Sequence, residues 1–362
     1  MRQGKGMLDK ASYLVLAAVL IAGLAHSSVA GTPVRLRVNT AHGLENARGA
    51  VADAGLNLDS EISVTASSPD NGQSFLPPDR FLTDGESVGA TILSSSFSGW
   101  DYLFDSASYT RLTGKGMVHV YAYEPRTAQP ADAPPPAAFA TVNRIGGATG
   151  GGIEFGVTDG YMGGKGAGAT PSAATAQLAG LMACLKHRHP SWNWFDVKAA
   201  LRATASNRAT GYDPLNYGYG AIDFHAADSL TDAVTLPLFP PSVVVLPQRG
   251  NSLRFFVNSF RQSRRVADVL FRFTSPPRRQ VTELTSAEIA ALGGQQVFSG
   301  NPPAQSNVYS YRVTASETAY FVWLARDARG RFSRIEPYSV IGPVTVNFRV
   351  PPIYGPRLNR DK

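Results

Sequence analysis

The chain has 362 residues, room for two domains and a sizeable core, and its 34 Lys and Arg against 27 Asp and Glu give a formal net charge of +7 at pH 7. The basic residues are scattered rather than gathered on one helix or in a nucleic-acid motif, so the excess reads as solvation with some attraction to anionic surfaces, and nucleic acid is not an expected partner. The single cysteine, Cys184, excludes an intrachain disulfide. No Cys/His or carboxylate cluster has metal-ligand spacing, so no metal or cofactor is expected, although a calcium site would not be readable from the pattern.

In chain order, residues 1–30 read as an export signal. Arg2, Lys5 and Lys10 precede an apolar run over 13–25, and Ser28-Val29-Ala30 forms a small-x-small cleavage site. The run is short of the roughly 20 residues that a membrane span needs, which favours a cleaved signal over an anchor. A secreted or periplasmic location with no stable span after cleavage is therefore expected. Residues 31–41 contain no Asp or Glu, and His42-Gly43 follow in TAHGLENARGA.

Residues 89–100, GATILSSSFSGW, resemble the strand of the subtilisin-like serine peptidases that runs from an aliphatic pair into Met-Ser-Leu-Gly-Gly. DYLFDSASYTRLTGKG (101–116) looks helical, and MVHVYAYEP (117–125) is a buried parallel strand. A strand, helix, strand series argues for an α/β layered sheet. Between Pro125 and Ser172 the chain is rich in Pro, Ala and Gly, with a short strand at TVNRIGG and a glycine-rich approach at TDGYMGGKGAGA. No Gly-x-x-x-x-Gly-Lys-Ser/Thr arrangement accompanies those glycines, so backbone flexibility near a cleft explains them better than a phosphate cradle.

TPSAATAQLAG (170–180) then sets Ser172 at a small-residue turn ahead of a helix. Leu178, Leu181, Met182 and Leu185 recur at helical spacing and mark one buried face, on which Cys184 is a core thiol. A serine hydroxyl is a weak nucleophile that needs a base and donors for the oxyanion, and a helix N-terminus offers unpaired N–H groups and a positive dipole end. The alternative for Ser172 is an ordinary N-cap. LKHRHP, a Trp-bearing turn, a second helix in WNWFDVKAALRATAS and a glycine corner in YGYGAIDFHAA follow.

This order of elements resembles the C-terminal third of the subtilisin-like serine peptidases, whose pattern Gly-Thr-Ser-x-Ala-x-Pro-x-Val-Ala-Gly places the nucleophile where Ser172 stands. The resemblance implies a three-layer α/β fold with a mostly parallel sheet over residues 31–230, shortened at its start. It also implies a polypeptide substrate paired with the strand that ends in Ser96, Phe97, Ser98 and Gly99, a case of strand addition. His42 is its candidate general base, since the His-Gly pair lies upstream of that strand as in the family. His119 sits inside an apolar strand that disfavours its cation, His187 and His189 resemble a structural Lys-His-Pro segment, and His225 lies in the terminal corner.

Two departures bear on activity. Where subtilases carry the oxyanion asparagine, this chain aligns Tyr123, Glu124 and Pro125, and losing one such donor costs about 10²- to 10³-fold. The family's acid precedes its histidine on an early strand, yet 31–41 holds none, and losing it costs about 10⁴-fold. DGESVGATI, from Asp84, mimics the histidine block only superficially, and Asp53, Asp59 or Asp70 could substitute only through a rearranged topology.

After a proline-punctuated linker over 231–245, residues 246–362 carry turn-separated β runs: SLRFFVNSF, ADVLFRFT, VYSYRVTA, AYFVWLARD and VTVNFRV. AYFVWLARDARGRFSRIEPYSV resembles part of an immunoglobulin- or fibronectin-type module, so an antiparallel β-sandwich is expected. Three functions stand open: an exported endopeptidase using Ser172, an impaired pseudopeptidase that holds extended peptides, and a surface- or polymer-binding protein acting through the sandwich.

Overall fold

The computed structural model describes residues 33–67, 76–96, 111–112, 115–122, 140–144, 155–157, 170–205, 219–248, 252–278, 280, 282–301, 308–314, 319–335 and 340–344. Its first strand, β1 (Val34–Val38, VRLRV), alternates apolar and basic residues. Leu36 and Val38 are buried on one face, and Arg35 and Arg37 turn to the other. β1 pairs in parallel with β2 (Ile62–Ala66) on one side and with β3 (Ile92–Ser95) on the other. β4 (Val118–Ala122), β5 (Ala140–Arg144) and β6 (Phe155–Val157) extend the sheet, all parallel, in the order β2-β1-β3-β4-β5-β6. This is the parallel α/β sheet expected from the sequence.

The order has one reversal. The chain leaves β1 for β2 and returns across β1 to β3, so the connections diverge at the carboxyl ends of β1 and β3, the kind of point at which open α/β sheets form ligand crevices.

One face of the sheet is covered by α1 (Ala41–Asp53) and α3 (Pro171–Arg188). Leu36, Val38, Ile92, Val118 and Val120 pack there with Ala47, Ala50 and Val51 of α1 and with Leu178, Leu181 and Met182 of α3. Because successive strand residues face opposite ways, Leu93 joins a second cluster on the other face, with Phe81 and Leu82 of α2 (Pro78–Ser87) and with Met117. α3 is buried on all sides from Ala173 to Leu185, as a helix enclosed in a core must be. Gly180 permits its closest approach to α1: a Cβ there would stand 2.8 Å from the Ala47 carbonyl oxygen.

α4 (Trp194–Thr204) opens with a capping box between Asn193 and Asp196, and α5 (Phe224–Asp228) follows. The buried Asp196 also accepts from the Ser263 N–H at 2.8 Å, and Asn193 donates to the Arg261 carbonyl at 3.1 Å. Beside them the Arg202 guanidinium lies over the rings of Phe260, Tyr219 and Phe239 at 4.4, 4.5 and 5.1 Å, a cation–π contact with three faces. These contacts fasten α4 to the β-rich region.

That region has two antiparallel sheets. β7 (Ser242–Gln248), β8 (Ser252–Asn258) and β11 (Val308–Thr314) form one, in the order β11-β8-β7. β9 (Arg265–Phe273), β10 (Gln295–Gly300), β12 (Ala319–Asp327) and β13 (Val340–Val344) form the other, in the order β10-β9-β12-β13. Leu253, Phe255 and Val257 of β8 share one cluster with Leu270, Phe321 and Trp323 of the second sheet, so the inner faces interlock. The outer face of the second sheet is covered by α6 (Ser286–Ala291), where Ile289 packs with Val269, Phe271 and Val322.

Several expected elements lie elsewhere. The signal and most of the 101–116 helix fall outside the described residues, although 111–112 are helical. The strand expected at 344–350 is outside them except for Val344, and the observed strand is β13 just before it. Among the described residues, no helix is long and apolar enough to cross a membrane.

Candidate functional site

Three segments meet at the carboxyl ends of β1 and β3. The first continues β1 through Asn39 and Thr40. Thr40 is extended, and its hydroxyl accepts from the Gly43 N–H at 3.0 Å, which starts α1 with His42 and Gly43 in its first turn. The second is Ser96, buried directly after β3. The third is the head of α3, where Thr170 caps by accepting from the Ala173 N–H at 3.2 Å, Pro171 fits the first turn and Ser172 follows.

The structure brings Ser172 and Ser96 together. The Ser172 hydroxyl donates to the Ser96 carbonyl, and Ser96 Oγ stands 3.5 Å from the Ser172 carbonyl. The Ser96 N–H donates to Asn39 Oδ1 at 3.0 Å. Both backbone groups of Ser96 are therefore engaged within the protein. Gly43 completes the contact, since a Cβ there would lie 3.2 Å from Thr40 Oγ1 and 3.3 Å from Ser96 Oγ, tighter than ordinary packing. Glycine at this point lets α1 begin against Ser96.

His42 is exposed, and its ring is not turned to Ser172 by any bond among the described residues. Asn46, one turn on, donates through Nδ2 to the His42 carbonyl at 2.8 Å and brings the same Nδ2 to 3.2 Å from His42 Nε2. The carbonyl contact fixes the amide's orientation, so Nε2 faces a donor and its lone pair is occupied. Phe97, Ser98 and Gly99 lie outside the described residues, as do Tyr123, Glu124, Pro125 and Asp70.

The remaining charged candidates stand apart. Asp53 ends α1, about 16 Å along the axis from His42 at 1.5 Å per residue. Asp59 lies 3.6 Å from Arg48. Asp84, on α2, is bonded to Arg37 at 2.7 Å and to Ser67 at 2.5 Å. Burial raises its pKa, but the hydrogen bonds from Arg37 and Ser67 hold the carboxyl below its usual value. His119 is fully buried in β4 with Nε2 2.8 Å from Ser95 Oγ, and desolvation pushes its pKa down to about 3. The pleat puts Ser95 and His119 on the face of the sheet opposite α3, so this pair does not address Ser172.

His187 reaches Glu61 at 3.3 Å, His189 stacks on Trp192 at 3.9 Å, and both close the far end of α3. His225 is in α5. Among the described residues, no three His, Cys, Asp or Glu side chains gather to hold a metal ion.

The residue that sequence reasoning passed over is Asn39. Its local signal is slight: a polar residue ending an alternating strand, immediately ahead of a threonine cap.

The arrangement presents a serine hydroxyl at a helix N-terminus beside the point where strand order reverses, a location that favours ligands. It directs that hydroxyl's proton to a carbonyl rather than to a base.

Residues 154–220 match the model of the Subtilase family (Peptidase S8). No curated protein matches the chain. Among solved structures, it is similar to a lanthipeptide protease, at 13% identity and TM-score 0.40 over 54% of this chain and 86% of that one. It is likewise similar to MycP1 from the ESX-1 type VII secretion system, at 14% identity and TM-score 0.38 over 59% and 85% of the two chains. For MycP1 from Mycobacterium smegmatis the figures are 15%, 0.37, 59% and 84%.

Proposed function

We infer the function from the premise that the chain belongs, through residues 154–220, to the subtilisin-like serine peptidase family. In this reading it is an exported, catalytically impaired peptidase that holds an extended polypeptide at the crevice between β1 and β3, with Ser172 positioned but unactivated. The observation that carries it is the Ser172 hydroxyl donating to the Ser96 carbonyl. A nucleophilic serine must instead give its proton to a base, and the candidate base, His42, has its Nε2 facing Asn46.

Acyl transfer would begin with His42 taking the Ser172 proton as Oγ attacks the scissile carbonyl. Without a carboxylate to hold the imidazole and its cation, that step loses about 10⁴-fold, and without the oxyanion asparagine a further 10²- to 10³-fold. Residual hydrolysis by Ser172 and His42 is compatible with these factors, and efficient hydrolysis is not. Peptide would pair along Ser96, Phe97, Ser98 and Gly99, and would first have to displace the Ser172 hydroxyl from the Ser96 carbonyl.

We assign residues 1–30 to a cleaved signal and the mature protein to the periplasm or the exterior. Residues 31–230 form the subtilase-like domain and 231–245 its connection. Residues 246–362 form an immunoglobulin- or fibronectin-like sandwich, and no cofactor is required. The Arg202 cluster favours this sandwich as a rigid support over a detached surface-binding module.

Two measurements test the reading. A fluorescent extended peptide should raise its polarisation on binding the wild-type protein, and a fluorophosphonate probe should label Ser172 slowly or not at all. Rapid labelling with casein cleavage, both lost in Ser172→Ala, would establish an efficient peptidase and refute impairment. Absent peptide binding would refute the peptide-holding role.

A further inference from the structure

Asn39 ties together the carboxyl ends of β1 and β3. It is buried at 9% exposure, directly follows β1, and precedes by one residue the Thr40 cap that launches α1. Its backbone N–H donates to the Ser94 carbonyl at 3.2 Å and its Oδ1 accepts from the Ser96 N–H at 3.0 Å. A backbone N–H can only donate, so this bond settles which arm of the amide is oxygen. The other arm, Nδ2, is a pure donor.

We propose that Asn39 is the positioning residue that sets the reactivity of Ser172. Its oxygen locks Ser96, whose carbonyl holds the Ser172 hydroxyl. Its second arm, being a neutral donor, supplies no negative charge to the imidazole of His42 three residues on. The assignment rests on the reading of Ser172 and His42 given above.

A carboxylate has the amide's shape. In Asn39→Asp one oxygen still accepts from Ser96, while the second becomes a charged acceptor beside the start of α1, where the helix dipole favours it. An imidazole near that charge is stabilised as a cation and becomes the better acceptor for the Ser172 proton. Among the described residues, the side-chain contact that His42 gives up on turning inward is the exposed one with Asn46.

The test uses the full-length protein and a fluorophosphonate. Ser172 Oγ forms a bond to phosphorus, the P–F bond breaks, fluoride leaves, and the hydroxyl proton passes to His42. Asn39→Asp should label at least about tenfold faster than wild type, well inside the roughly 10⁴-fold that a missing orienting carboxylate costs a serine triad. The rate should rise with pH through a single deprotonation, and the gain should vanish in Asn39→Asp/His42→Ala. Should Asn39→Asp fail to fold, Asn39→Ala with added formate supplies the same charge, and labelling should climb with formate concentration.

The proposal is overturned if folded Asn39→Asp labels no faster than wild type, if the gain survives loss of His42, or if Asn39→Ala alone reproduces it. It is likewise overturned if formate has no effect on folded Asn39→Ala. Peptide polarisation on the wild type reports separately: lost binding removes the peptide-holding role and leaves the Asn39 comparison standing.

Discussion

Gly180 and Gly49 both lie inside helices, yet replacing each by alanine should move stability in opposite directions. An alanine in a helix interior gains roughly 0.5–1 kcal/mol over glycine through backbone entropy. At Gly49 nothing lies within 4 Å of the new Cβ, so Gly49→Ala should keep that gain. At Gly180 the Cβ would meet the Ala47 carbonyl oxygen at 2.8 Å and the Ala50 Cβ at 3.4 Å. The nearer atom is backbone within α1 and cannot rotate away, so α1 and α3 must part by about half an ångström in a close-packed core. Overpacking of this kind costs about 1–3 kcal/mol; set against the propensity gain, Gly180→Ala should come out destabilised by about 1–2 kcal/mol. Urea unfolding followed by far-UV circular dichroism reads both, as a higher midpoint for Gly49→Ala and a lower one for Gly180→Ala at unchanged slope. Because α1 begins packed against Ser96 and α3 begins with Pro171 and Ser172, Gly180→Ala should also disturb the contact between Ser96 and Ser172. A Gly180→Ala midpoint at or above wild type would refute the close approach of the two helices.

Three further outcomes are expected. Burial pushes the Cys184 thiol up to about 12, so native protein at pH 8 should resist iodoacetamide and react only after unfolding; fast native labelling would place the thiol at the surface. His119 ionises near 3 when folded but near 6.5 when unfolded. The stability carried by its neutral ring is thus complete above pH 6.5 and declines as pH falls towards 3, by up to about 1.4 kcal/mol per unit. His119→Gln should flatten that slope in denaturant titrations between pH 7 and 4, and an unchanged slope would contradict the burial. Asp196→Ala removes a cap worth about 1 kcal/mol and the hydrogen bond that the Ser263 N–H makes to a charged acceptor, worth about 1.5–3 kcal/mol, so a loss of about 2–4 kcal/mol should appear in urea.

What could be seen in the chain beforehand depended on how local the cause was. α3 was legible because Leu178, Leu181, Met182 and Leu185 repeat at helical spacing within one segment, β4 because its run is mostly apolar, and β3, half of it serine, through its resemblance to the subtilase strand. β1 was not, since Arg35 and Arg37 interrupt a five-residue element, and the salt bridge that makes Arg37 acceptable reaches Asp84, far along the chain. α1 hid behind Gly43 and Gly49, which lower helix propensity while serving close packing at Ser96 in the first case. Ser172 was found through its setting at a helix head, but its partner Ser96 is 76 residues away and Asn39 is 57 residues from Ser96. Such contacts are created by the strand order and leave no periodic trace.

The Arg202 stack has a consequence for any shortened form of this protein. Phe239 and Phe260 are almost wholly covered, and Tyr219 packs edge-on against Phe239. The residues that hide them come from both halves of the chain, with Arg202 supplied by α4 and Arg334 lying 4.9 Å over Phe239 from beyond β12. A protease that nicked the loops between the halves would not free two independent products, because separation would bare a sticky aromatic face on each. Cleaved material should therefore travel together through a sizing column, and an expressed N-terminal half should clump unless the missing half is supplied in trans.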